Sequence, residues 1–207
     1  MNRRLGVISS IAVAAASIGF AVSMLISDIN LSYLTSIGIS WSYVLMACAL
    51  ASEASPDKKA VALGGVAFAA IYAVFVDLVY FTQLTAVRFA TEVPDVISAV
   101  TYTPGSWFFA LDLFGYGMMA VSTLLIGIAF TAKSRPEKWL RALLMLHGLF
   151  APACLLMPAL NLFQRSEQQE SGLSGGVLAL LFWCIYFTPL AILATVHFYK
   201  SSADKKD

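Results

Sequence analysis

The sequence predicts an all-α fold: a polytopic membrane protein built as a bundle of six transmembrane helices. Three observations carry that prediction. Six apolar stretches are each long enough to cross a hydrocarbon layer of ~30 Å, which takes ~20 helical residues. The chain is 59% hydrophobic and 12% charged, with a mean hydropathy of +0.80, whereas soluble domains run at ~45–50% apolar and ~25% charged. Eleven of the thirteen Lys and Arg residues fall in alternate gaps between the stretches, as they do when basic residues near span ends stay cytoplasmic.

Taken in order, the first stretch is Leu5–Ser27, preceded by Arg3 and Arg4. A secretory signal cut at Ala12, Ala14 or Ala16 would leave an apolar core of only Leu5 to Ile11, so an uncleaved first helix is expected. Its small residues Ala15, Gly19, Ser23 and Ser27 recur every fourth position, the spacing that lets helices approach closely in lipid. The second stretch, Leu31–Ala51, follows a gap at Asp28–Asn30 without a base. The third, Ala60–Leu84, is entered through Ser55-Pro56-Asp57 and the pair Lys58 and Lys59, and it carries a second ridge of Gly65, Ala69, Ala73 and Asp77.

Arg88 is the sole base of the following gap, which reaches Ser106 and holds Val96–Val100 as a brief interfacial element. The fourth stretch, Trp107–Ala132, ends at the richest basic cluster, Lys133, Arg135, Lys138 and Arg141. The fifth is Trp139–Phe163, where Pro152 and Pro158 each remove a backbone donor and predict a kink. Arg165 alone marks the next gap. The sixth, Gly175–Tyr199, contains Pro189 and leads to Lys200, Lys205 and Lys206. The tight links at Ser55-Pro56-Asp57 and Ser134-Arg135-Pro136 predict antiparallel neighbours for stretches two with three and four with five. Residues 1–207 thus read as one membrane domain in the cell membrane (inner or plasma), crossing six times with both termini cytoplasmic.

Two acids lie inside stretches. Asp77 is about seven residues from the outer end of the third, and Asp112 is five residues into the fourth. Because these helices run in opposite directions, both carboxyls come out ~10 Å below the same interface. Tyr80 lies three residues from Asp77 and Tyr116 four from Asp112, so each acid shares a helical face with a phenol. Asn161 reaches a comparable level, and Arg88 returns to the face of Asp77 ~16 Å higher. An acid at membrane depth costs ~2.5–3.5 kcal/mol on insertion scales and marks a solute or proton path, or else joins helices by hydrogen bonds worth ~0.6–2 kcal/mol each. His147 on the fifth stretch is a further candidate cavity residue, and His197 an interfacial one.

Cys48, Cys154 and Cys184 are all within stretches with no C-x-x-C, so neither a metal site nor a disulfide scaffold is expected, and no cofactor is implied. A Walker loop, G-x-G-x-x-G, H-E-x-x-H and G-x-S-x-G are missing, which argues against the common enzyme classes. The net charge is only +1 and the bases are sorted by side of the membrane, so nucleic acid is not an expected partner.

The segment Val76-Asp77-Leu78-Val79-Tyr80-Phe81-Thr82-Gln83-Leu84-Thr85, together with Ala110-Leu111-Asp112-Leu113-Phe114-Gly115-Tyr116, resembles small multi-pass prokaryotic membrane proteins of unknown function. The resemblance implies a multi-pass cell-membrane location and no activity, and it carries no functional residue across. Two functional expectations follow from the residues. In the first, the chain handles a small solute or a proton, by transport or sensing, through an outer-leaflet polar cavity of Asp77, Tyr80, Asp112, Tyr116, Asn161 and His147, with Arg88 or the outer loop gating access. In the second, it is a non-catalytic accessory subunit of another membrane protein, with the Ala15-Gly19-Ser23-Ser27 face as the contact surface.

Overall fold

The computed structural model describes residues 1–91, 94–160 and 175–203. Helix α1 (Asn2–Leu25) turns directly into α2 (Ile29–Ser52). A 3-10 turn at Pro56–Lys58 leads into α3 (Lys59–Thr82), which ends in a π-helical turn at Gln83–Val87. The short α4 (Pro94–Val100) precedes α5 (Trp107–Ala129), followed by α6 (Arg135–His147), α7 (Phe150–Ala159) and α8 (Gly175–Ala203). Among the described residues, six segments are helical, long and apolar enough to cross a membrane: Asn2–Leu25, Ile29–Ser52, Pro56–Val87, Trp107–Ala129, Arg135–Ala159 and Val177–Lys200. The chain is a multi-pass helical membrane protein.

Small hydroxyl residues make many of the contacts of α1. On α1 the buried residues include Ser9, Ser10, Ser17 and Ser23, while Ile8, Ile11, Ile18 and Val22 are exposed. Hydrocarbon outside rewards no apolar burial, so small hydroxyl residues take the helix contacts and large apolar ones face the lipid. Most of those hydroxyls return their proton to a carbonyl one turn back, as Ser10 does to Gly6 at 2.6 Å and Ser42 to Gly38 at 2.6 Å.

The α1–α2 link is a tight reversal. Ser27 adopts φ 57°, and Asp28 N–H donates to the Ser23 carbonyl at 2.9 Å, closing α1 with a left-handed cap. The Asp28 carboxyl then accepts from Leu31 N–H at 3.0 Å and starts α2. Of the expected α1 ridge, Gly19 and Ser23 are used within the chain. A Cβ on Gly19 would lie 3.1 Å from the Thr35 methyl, and the Ser23 and Ser32 hydroxyls are 2.9 Å apart. Ala15 and Ser27 are exposed.

A second contact strip on α1 pairs it with α8, an association the sequence did not announce. A Cβ at Gly6 would lie 2.6 Å from the Phe198 ring, and Thr195 donates to Ser10 at 2.9 Å. The predicted ridge of α3 packs on α5. A Cβ at Gly65 would meet Ile126 at 2.8 Å and the Ser122 carbonyl at 3.2 Å, and Ala69 is fully buried. Ser122 seals this crossing by donating to the Gly65 carbonyl at 2.6 Å while accepting from Tyr43 of α2 at 2.8 Å. As expected from the short links, α2 packs on α3, and α5 on α6 and α7.

The fifth stretch is a broken helix rather than a kinked one. Pro152 has no N–H to offer the Gly148 carbonyl, and its ring crowds that carbonyl. The chain accordingly breaks at Gly148-Leu149, where Leu149 N–H bonds to Leu146 and Ala151 N–H to Gly148 in tightened turns. The offset re-aims α7 and leaves His147 at the junction.

Candidate functional site

The site begins at the π-helical turn. One extra residue per turn, closed by Arg88 N–H on the Gln83 carbonyl at 3.1 Å, rotates the buried Gln83 side chain toward the following loop. Its amide nitrogen donates to the Val100 carbonyl at 2.8 Å, and its amide oxygen accepts from Tyr102 N–H at 2.9 Å. A single glutamine therefore fastens the loop after α4 to the end of α3. That places the Tyr102 hydroxyl 2.9 Å from Asp112 Oδ2, where Tyr80 also donates at 3.0 Å. Burial first, and then the Asp112 carboxyl, push the Tyr102 phenol well above its ordinary range, so it serves as a donor rather than an anion. Tyr33 stacks on Tyr80 at 5.3 Å and meets Tyr102 edge-on at 6.1 Å, holding the two donors in place.

Asp112 is 1% exposed, and its other oxygen, Oδ1, has no hydrogen-bond partner among the described residues. Asp112 is among the residues lining a cavity of about 220 Å³ between α5, α7 and α8. Tyr102, Tyr116 and His147 share that wall with Phe150, Cys154 and Trp183. Tyr116 meets Trp183 edge-on at 5.5 Å. His147 is set by geometry: Trp183 donates to its Nε2 at 3.0 Å, so that nitrogen must accept. Its Nδ1 lies 2.9 Å from the Thr123 hydroxyl, which itself donates to the Ala120 carbonyl at 2.9 Å. The hydroxyl's proton is thus used, and the ring is neutral with its hydrogen on Nδ1.

The remaining predicted residues go elsewhere. Asp77 faces α2, where one oxygen accepts from the Ser40 hydroxyl and the other from Trp41 Nε1 at 2.8 Å. The two acids therefore belong to separate hydrogen-bond sets and share no bond. Trp41 is 64% exposed and spends its donor on this acid. Arg88 is exposed, with its guanidinium 5.2 Å above the Phe89 ring, and does not line the cavity. Tyr80 binds Asp112 rather than Asp77, although it stands three residues from the latter. Asn161 lies outside the described residues.

Sequence reasoning missed Tyr102, Trp183 and Ser40. Tyr102 is in a loop, where no helical period assigns a face. Trp183 did leave a signal, being a tryptophan in mid-span rather than at an interface.

At the opposite end of the bundle, His197 bridges two carboxylates, with Nε2 2.6 Å from Glu53 and Nδ1 3.0 Å from Glu137. Glu137 also accepts from the N–H groups of Lys133 and Ser134, each at 2.7 Å, at the start of α6. Arg3 of α1 approaches Glu53 at 3.9 Å. Compared with protein families, curated proteins and solved structures, the chain matches none.

Proposed function

We propose that this chain is a small solute- or proton-handling membrane protein, by transport or sensing, whose working group is the Asp112 carboxyl on its cavity. One observation carries the reading: Oδ2 is held by two phenol donors, while buried Oδ1 has no partner among the described residues and Asp112 is among the residues lining a cavity. Such an oxygen is completed by a proton, or by a solute that brings a donor or a positive charge. The distribution of basic residues supports cytoplasmic termini in a cell membrane, which assigns the cavity to the outer half of the bilayer. Asp77 supports the second reading, an accessory subunit joined by polar contacts, because both its oxygens are spent on α2.

The two readings separate on titration. Carboxyl infrared difference spectra of the purified protein, recorded from mildly acidic to mildly alkaline buffer, are expected to show a protonation band that D112N removes and D77N keeps. A carboxyl of Asp112 that does not change across the range in which the fold persists overturns the proposal.

A further inference from the structure

Resting on the reading of Asp112 as the working group, we propose that the cavity takes a small organic ammonium ion with apolar substituents, reaching it from the hydrocarbon layer. Charge comes first. Among the described residues lining the cavity, Asp112 is the sole acid, none is Lys or Arg, and His147 is neutral by its hydrogen bonds. An anion would therefore meet a carboxyl and no counter-charge. A sugar or other poly-hydroxyl solute would leave most of its groups unbonded against carbon walls, at a cost of ~1–3 kcal/mol for each.

The walls argue for what remains. Tyr102, Phe109, Tyr116, His147, Phe150 and Trp183 surround the space with aromatic rings, whose faces attract a cation within ~6 Å of the centroid. A bare metal ion finds one carboxylate here and too few oxygens to replace its water shell. An alkylated ammonium has a thin hydration shell and apolar substituents that suit such walls. Size sets the upper limit: 220 Å³ lies below the ~300–1,000 Å³ of drug-sized pockets.

The route follows from the rim. Phe182 and Ala153 line the cavity yet belong to the exposed, lipid-facing surface, Phe182 at 61%. An amphiphilic amine concentrated in the bilayer thus approaches along apolar surface, and its nitrogen is drawn toward the Asp112 carboxyl.

The test is calorimetric titration of the full-length protein in detergent with benzyltrimethylammonium and with neopentylbenzene, its neutral isostere carrying carbon in place of nitrogen. The ammonium is expected to bind saturably at one site, and the isostere at least tenfold more weakly. D112N should weaken the ammonium tenfold or more, F150L a few-fold, and D77N not at all. Equal binding of the two probes, or absence of saturable binding, overturns the proposal. Unaltered ammonium binding by folded D112N does the same. If D112N does not fold, the probe pair on the wild-type chain and the F150L variant decide. An Asp112 that titrates in the infrared while neither probe binds removes the ammonium assignment alone; an Asp112 that does not titrate removes the site itself.

Discussion

Asp77 and Asp112 show how one residue type inside membrane-spanning helices is put to two uses by its neighbours. Asp77 has each oxygen bonded to α2, by Ser40 and Trp41, whereas Asp112 concentrates two phenols on one oxygen, leaves the other without a partner among the described residues, and stands among the residues lining a cavity. Their place inside the third and fourth apolar stretches was legible from the sequence. Their separation was not, because it depends on which neighbouring helix each face meets. The pairing of Tyr80 with Asp112 instead of Asp77 has the same origin: it crosses between α3 and α5, which no spacing within one helix reveals. Ser27 is a smaller case with a sharp consequence. It is the only non-glycine residue with positive φ among those described, in the left-handed region that costs an L residue ~1–2 kcal/mol. Its side chain is exposed, so S27G should relieve that cost against glycine's greater loss of backbone freedom. The expected net gain is about 0.5–1 kcal/mol, seen as a higher Tm in detergent; an unchanged or lower Tm would argue against the left-handed cap.

Elements departed from expectation where their ends are decided by local backbone chemistry. The prolines of the fifth stretch were visible, but the break falls at Gly148-Leu149, because the missing Pro152 donor is felt four residues upstream. The π-helical turn at Gln83 left no periodic signal, since one inserted residue alters phase only locally, and it is this turn that brings Tyr102 to Asp112. At the other end of the bundle, His197 joins α8 to α2 and α6 through Glu53 and Glu137. A neutral imidazole carries one N–H, so both carboxylates are satisfied only by the doubly protonated ring. The stabilisation is therefore present while the proton is bound and lost as pH rises and it leaves. H197A should lower Tm in acidic buffer, by the equivalent of about 1–3 kcal/mol, and by much less in alkaline buffer. A loss independent of pH would mean that the ring acts by packing against Phe130 and Phe198 alone.

For the molecule as a whole, the alternation of bases and the six apolar stretches were enough to read the class of fold, and the structure supplies six matching spans around a core that mixes serines with large apolar residues such as Tyr72 and Phe187. The contacts of Arg3, Glu53, Glu137 and His197 gather the start of α1, the end of α2, the start of α6 and the end of α8 at one end of the bundle, where the basic clusters also belong. The cavity was less legible, because it exists only where α5, α7 and α8 meet and takes one wall from a loop. Its assignment to the outer half rests on sidedness, and sidedness is open to direct measurement. Single-cysteine variants K58C, R135C and R88C, made on a background with Cys48, Cys154 and Cys184 replaced by alanine, can be labelled in sealed vesicles of known orientation with a membrane-impermeant thiol reagent. Positions 58 and 135 are expected to react from the cytoplasmic face and position 88 from the opposite one. Labelling of positions 58 and 135 from different faces would contradict that sidedness.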